Sequence, residues 1–308
     1  MKSARRQAFI ARKTKKPKKN FSFLKILIPL AVIVFLFLFL KINTRFWNGA
    51  DKISYTFVEK NGDVGVTVID PTLSEITTLI IPGDTQVDVS RNYGIFRIKN
   101  VWQMGINEKV GGSLLSETVT ENFLFPVFLW SGNETGIESG KIGALIHFIF
   151  TPSSTNIPFG DRIQMALFSL KMQDLGKTVI NLGKSQFLDK KILEDGQIGY
   201  EITGPISGRL TVFFSDDKLG DQNIKVNITD FTNTPGISEK LGQILQVIGG
   251  KVVSVDKKTT PEDSDCLVSG QNQRVVKEVS NLFNCKIINN QTSFDLDIKI
   301  GQRFAKRF

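Results

Sequence analysis

The stretch Asn223-Ile-Lys-Val-Asn-Ile-Thr-Asp-Phe-Thr-Asn-Thr-Pro-Gly-Ile237 decides the fold class of the C-terminal part of the chain. Its first seven residues alternate apolar and polar, as a half-buried strand does. Asp230 to Gly236 then reads as a turn, with Thr234 placed to cap a helix and Pro235 suited to its first position. Downstream, Leu241, Ile244, Leu245 and Ile248 fall at i, i+3, i+4 and i+7, one apolar helix face. Gly249-Gly250 ends that helix, and Lys251-Val-Val-Ser-Val is a second strand. A polar, acidic loop from Lys257 to Asp265 leads to the strand Cys266-Leu-Val-Ser. A second helix runs from about Gln271 to Phe283, with Val275, Val279 and Leu282 on one face. Cys285-Lys-Ile-Ile and Phe294-Asp-Leu-Asp-Ile-Lys-Ile close the region as strands. The order β-α-β-β-α-β, with room for one more edge strand, describes a compact α+β module.

This region resembles the LytR C-terminal domain. The resemblance is carried by Val226-Asn-Ile-Thr-Asp-Phe-Thr-Asn-Thr-Pro-Gly-Ile, by Leu241, Leu245 and Gly250-Lys-Val-Val, and by the closing Ile298-Lys-Ile-Gly-Gln-Arg-Phe. It covers about residues 223–304 and implies an accessory module on envelope proteins, with no catalytic residues. Cys266 would lie on the third strand and Cys285 at the start of the fourth, so neighbouring strand starts would bring them within disulfide range. The alternative is two buried free thiols. Two cysteines without histidine partners exclude an ordinary zinc site.

The middle of the chain mixes strands and helices. Ile53-Ser-Tyr-Thr-Phe-Val and Val66-Thr-Val-Ile-Asp-Pro read as a hairpin, and Ile76-Thr-Thr-Leu-Ile-Ile-Pro as a strand ending in Gly83-Asp84-Thr85. Residues 111–123 are predicted helical, and Gly140 to Phe150 apolar and buried. Asp161 to Leu170 reads as a helix with Ile163, Leu167 and Leu170 on one face. Ser207-Gly-Arg-Leu-Thr-Val-Phe-Phe reads as a final strand. His147, the only histidine, sits in Ala144-Leu-Ile-His-Phe-Ile-Phe and reads as a packed core residue rather than a base.

Leu79-Ile-Ile-Pro-Gly-Asp-Thr-Gln-Val, then Arg97-Ile-Lys-Asn, then Gly111-Gly112-Ser-Leu-Leu-Ser-Glu-Thr118-Val119 follow the order and spacing of the LytR-CpsA-Psr (LCP) family. Over residues 66–125 the chain looks like a diverged LCP-type domain. The resemblance implies a protein that binds a polyprenyl-pyrophosphate-linked glycan and, in active members, moves it to peptidoglycan with a divalent metal such as Mg²⁺. Asp84 matches the motif aspartate and is the candidate catalytic and metal-binding residue, with Arg97 and Lys99 as candidate phosphate-binding cations. The motif arginine corresponds to Gly83, the asparagine after K-I corresponds to Lys99, and the family's earlier R-S-D-T stretch has no counterpart. These departures point away from efficient transfer. As plain structure, Pro82-Gly83-Asp84-Thr85 is a turn after a strand, and Arg91, Arg97 and Lys99 are solvated cations. No Walker A sequence or dinucleotide-binding glycine fingerprint occurs.

Charge separates the N-terminus from the rest. The chain is formally +9, but residues 1–45 hold twelve Lys or Arg and no acid, leaving 27 basic against 30 acidic residues beyond. A body with no basic surplus excludes nucleic acid as its partner. The apolar run Ile26 to Leu40, extended through Phe21 to Leu24, is long enough to span a bilayer. Lys41, Arg45 and Trp47 mark its far interface. No small-residue cleavage pattern follows it, which predicts an uncleaved signal-anchor rather than a signal peptide. The expected organisation is a basic cytoplasmic tail (1–20) on anionic lipid, a transmembrane helix (21–41), a linker (42–51), an LCP-like domain (52–222) and a LytR C-terminal-like domain (223–308). The last two would lie outside the cell membrane. The expected function is a non-catalytic envelope protein that binds cell-wall glycan, lipid-linked precursor or another envelope protein. The alternatives are an active glycopolymer phosphotransferase and a bitopic division or secretion scaffold.

Overall fold

A computed structural model describes residues 28–29, 44–151, 154–172, 176–204, 208–215 and 223–308. The basic tail lies outside these residues, as does the expected span 21–41 apart from Ile28 and Pro29. No helix among the described residues is long and apolar enough to cross a membrane.

The first sheet is built around a hairpin. β1 (Ile53–Val58) pairs antiparallel with β2 (Val64–Asp70), which pairs antiparallel with β3 (Glu75–Ile81). β6 (Leu129–Ser131) joins β1 in parallel, and β7 (Lys177–Asn181) joins β3 in parallel, giving the order β6-β1-β2-β3-β7. Every residue of β2 is buried, as expected of a central strand covered on both faces. Val64, Val66, Val68, Leu79 and Ile81 turn to one face, against Leu114, Leu115 and Val119 of α2 (Ser113–Phe123) and Val101 of α1 (Ile98–Asn107). Tyr55, Phe57, Ile69 and Ile76 turn to the other, against Leu145 and Phe148 of α3 (Ile142–Phe150) and Met165 and Ala166 of α4 (Phe159–Lys171). The result is a helix–sheet–helix layering of mixed α+β type. Gly65 is required there, because a Cβ would lie 2.2 Å from the Phe57 ring.

The second sheet has the order β11-β10-β14-β12-β13. Its strands are β10 (Lys225–Asp230), β11 (Lys251–Lys257), β12 (Cys266–Ser269), β13 (Lys286–Ile287) and β14 (Leu296–Ile300). Helices α6 (Ile237–Val247) and α7 (Gln273–Phe283) supply Leu241, Ile244, Leu245, Val275, Val276 and Val279 to the core against Val226, Ile228 and Ile298. A short α8 (Gln302–Arg307) follows the last strand. Parallel pairing of β12 with β13 sets Cys266 and Cys285 with Cα atoms 4.6 Å apart, joined in a disulfide.

Three local expectations fail. Helix α6 begins at Ile237 with Gly236 in the left-handed region (φ 85°), not at a Thr234 cap. Residues 208–211 form one helical turn, α5 (Gly208–Thr211), where a strand was predicted. The apolar segment 140–150 is largely exposed: of α3 only Leu145 and Phe148 are buried, and His147 faces solvent. The face of α4 that carries Leu167 and Leu170 points outward, while Asp161, Met165, Ala166 and Ser169 face in. Asp161 explains why the apolar face of α4 turns outward. Fully buried, it accepts hydrogen bonds from the backbone N–H groups of Arg45 (3.2 Å) and Phe46 (3.0 Å), and burial raises its pKa. A buried acid tied to an entering strand of chain fixes the rotation of the helix against its apolar preference.

Candidate functional site

The end of β3 runs into Pro82-Gly83-Asp84-Thr85, a turn closed by the Thr85 N–H to the Pro82 carbonyl at 2.9 Å. The Asp63 carboxylate accepts from the Gly83 N–H at 2.7 Å, and the Lys99 N–H reaches the Gly83 carbonyl at 3.1 Å. These bonds pin the first turn of α1 over the Pro-Gly-Asp-Thr turn. β4 (Gln86–Val89) and β5 (Gly94–Arg97) form a hairpin that returns Arg97 opposite Gln86, beside Asp84. A second hairpin, β8 (Leu188–Ile192) with β9 (Ile198–Ile202), is docked by the Tyr200 N–H to the Asp84 carbonyl at 3.1 Å, and its turn presents Asp195.

The three candidate residues therefore meet in one cluster. Arg97 Nη1 donates to Asp84 Oδ1 at 2.8 Å, and Lys99 Nζ donates to the same oxygen at 2.6 Å. Arg97 also grips Asp195 with Nε (3.1 Å) and Nη2 (2.8 and 3.0 Å) and gives Nη1 to the Ile198 carbonyl at 3.2 Å. All three nitrogens of the guanidinium fork thus donate to protein acceptors, Nε and Nη2 to one carboxylate and Nη1 to Asp84 and the Ile198 carbonyl. The Arg97 side chain is only 11% exposed, against 42% for Lys99. Lys99 has three N–H donors, one of which serves Asp84, so two spare donors of the cluster sit on the exposed lysine.

The electrostatics follow. Lys99 first, with Arg97 behind it, holds the Asp84 carboxyl below its usual range. The Gln197 N–H and then Arg97 do the same for Asp195, and the two carboxylates raise Arg97. Two positive and two negative charges neutralise each other. A pyrophosphate arriving here must displace an acceptor already in place, at a desolvation cost.

Two features of the resemblance do not survive this geometry. A Cβ at Gly83 would sit 2.4 Å from the Gly62 carbonyl oxygen and 3.2 Å from Lys99 Cβ, so the motif arginine has no room. Among the described residues no three His, Cys, Asp or Glu side chains gather where they could hold a metal ion. Asp84 Oδ1 is faced by two cations, which oppose a divalent ion. The residues present thus do not fit the Mg²⁺ that an active LCP site implies.

Arg91 stands apart, in a bidentate pair with Glu117 of α2 at 2.7 and 2.8 Å. Sequence reasoning missed Asp195, which reaches the site from 98 residues beyond Arg97. The available signal was Asp195-Gly196 between two short polar strands, a hairpin-turn dipeptide, with Gly196 at φ 76°.

No protein family's sequence profile matches the chain, and no curated protein matches it either. Solved structures do show a likeness. B. subtilis TagT is 14% identical at a TM-score of 0.37, covering 52% of this chain and 88% of its own. B. subtilis TagV is 10% identical at a TM-score of 0.39, covering 66% of this chain and 99% of its own. The LytR-CPS2A-psr family protein YwtF (TagT) with bound octaprenyl pyrophosphate lipid is 14% identical at a TM-score of 0.31, covering 52% and 87%. These neighbours are LCP-family proteins at low identity. TM-scores below one half decide nothing about the site.

Proposed function

We propose that this chain is a membrane-anchored cell-envelope protein of LCP ancestry that binds a polyprenyl-pyrophosphate-linked glycan without transferring it. The observation that carries the reading is the commitment of all three Arg97 guanidinium nitrogens to Asp84, Asp195 and Ile198. An arginine so occupied gives no added stabilisation to a phosphoryl group in a transition state. Gly83 removes the second guanidinium, and Lys99 remains as a point charge able to hold a phosphate loosely.

Two further features support a membrane setting. The apolar run ending at Leu40 lies five residues before Arg45, whose N–H is held at the first turn of α4 by Asp161. On α3 and α4, Ile142, Ile146, Phe150, Leu167 and Leu170 are exposed, an apolar surface of the kind that marks a lipid or protein contact.

The test is binding of the full chain to a polyprenyl pyrophosphate, with and without Mg²⁺, beside an assay of glycan transfer to peptidoglycan. Metal-independent binding without transfer is the expected result. Metal-dependent transfer lost in Arg97→Ala would replace this reading with the phosphotransferase. Absence of both would turn the search to envelope-protein partners.

A further inference from the structure

A second polar site lies away from Asp84, where the hairpin β4–β5 and helix α2 meet the loop before α6 and the helix α8. It is a half-open cavity of about 360 Å³ whose walls include Ser90, Glu121, Thr234, Lys240, Gln302 and Phe308. That volume falls in the range of roughly 300–1,000 Å³ that small-molecule sites occupy.

The wall contains a carboxyl that the protein leaves unfinished. Glu121 is 8% exposed and Ser90 2%. Glu121 Oε1 and Ser90 Oγ are both buried without a hydrogen-bond partner of proper geometry among the described residues. The other oxygen, Oε2, has Lys240 Nζ at 3.8 Å, beyond hydrogen-bond reach. Ser90 is close enough to draw the Glu121 pKa down, but burial dominates and pushes it up to about 8. At neutral pH this carboxyl therefore holds a proton as well as a lone pair, and can both donate to and accept from an uncharged partner. A buried group left in this state costs stability, and a ligand that supplies the missing bonds recovers it.

The surrounding chemistry narrows the ligand. The lining adds a hydroxyl at the exposed Thr234 and an amide at the half-buried Gln302, and it opposes Asp88 with Lys240 and Lys306, so neither sign of charge prevails. Phe308, half-buried and stacked on Phe304 with ring centroids 4.8 Å apart, supplies an aromatic wall. Mixed donors and acceptors beside one aromatic ring suit a ring of alternating hydroxyl and C–H faces. We propose that this cavity binds a neutral saccharide, its C–H face on Phe308 and its hydroxyls on Glu121, Thr234 and Gln302. The proposal does not depend on the reading of the Asp84 cluster.

The test is saturation-transfer NMR on the solubilised full chain with N,N′-diacetylchitobiose as probe and inorganic phosphate as comparator. Transfer to the sugar ring protons is expected, falling at least fivefold in Phe308→Ala and in Thr234→Phe. The second variant places a ring in the cavity mouth from an exposed loop position and spares the core. Retained transfer in a folded Thr234→Phe protein would put the sugar elsewhere and overturn the site. No transfer at millimolar probe, or competition by phosphate, would overturn the ligand class.

Discussion

Arg97 commits all three guanidinium nitrogens to Asp84, Asp195 or Ile198, whereas Glu121 Oε1 has no hydrogen-bond partner of proper geometry among the described residues. Both sit on the module built around the first sheet, and both are polar groups drawn out of bulk water. The difference lies in what surrounds them. The Asp84 cluster is closed by two hairpins and the first turn of α1, which deliver two acids and two bases to one spot. The Glu121 wall faces a gap that the second module borders without filling. A polar group satisfied within its own module is a structural joint, and one left open toward a cavity is a binding surface awaiting its other half.

The largest expected effect separates the two by their dependence on the second module. Cys266 and Cys285 close a loop across 19 residues of sequence, and cross-linking such a loop is worth about 3 kcal/mol in the chain-entropy picture. The double substitution Cys266→Ser, Cys285→Ser should lower stability by that amount in denaturant unfolding. Saccharide binding at the cavity should weaken with it, while pyrophosphate binding near Asp84 should persist at denaturant levels where only the second module has opened. Equal loss of both would mean that the two sites unfold as one unit. Native thiols that label readily with an alkylating reagent would deny the cross-link itself.

Next comes Gly83→Arg, which restores the family's motif. If the closed cluster were a damaged active site, this change should repair it. The 2.4 Å approach of a Cβ to the Gly62 carbonyl predicts the reverse. Stability should fall by about 1–3 kcal/mol, the usual cost of overpacking, with no gain in transfer.

The same contrast governs what the sequence could show. The second module was legible almost strand by strand because its signals are local: alternation in 223–229, one apolar face on each helix, glycines at the helix end. The strands of the first sheet and α2 were legible for the same reason. The site was legible only in part. Asp84, Arg97 and Lys99 could be selected from a motif, but their mutual neutralisation needed Asp195, which arrives through long-range hairpin docking. The exposure of α3 was misread because an apolar run reads as buried whether or not the sheet covers it, and the outward turn of α4 depends on Asp161 holding Arg45 and Phe46, which periodicity cannot see. Cavities between modules leave no periodic trace, so Ser90 and Glu121 passed as ordinary polar positions.

Glu121 gives the cavity a pH signature that the Asp84 cluster lacks in the same range. Its pKa in the folded chain, about 8, lies above the ordinary 4.5. Between those values the folded state holds a proton that the unfolded state has released, so stability is fullest below about pH 4.5 and declines as pH rises toward 8. At about 1.4 kcal/mol for each pH unit between those values, the decline should amount to a few kcal/mol and should vanish in Glu121→Gln. Asp84 and Asp195 shift the other way: both are lowered, so their contribution stands at neutral pH and is lost only as pH falls below the usual carboxylate range. A wild-type stability curve flat between pH 5 and 8 would mean that Glu121 already has a partner in solution.

The smallest expected effect on stability is also the sharpest probe of the closed cluster. Lys99 and Asp84 are both more than one-third exposed, so their pair should contribute no more than about 1 kcal/mol. Lys99→Gln should therefore leave the unfolding midpoint nearly unchanged. It should nonetheless reduce pyrophosphate binding more than Arg97→Lys does, because the lysine carries two exposed spare donors while the arginine's nitrogens already serve Asp84, Asp195 and Ile198. The two substitutions divide the roles cleanly: one removes an exposed charge and keeps the Arg97 joint, the other keeps a charge and loosens the joint. Binding that falls more for Arg97→Lys than for Lys99→Gln would show that ligand displaces Asp195 and takes over the guanidinium fork. The cluster would then be a latch that opens rather than a joint that holds.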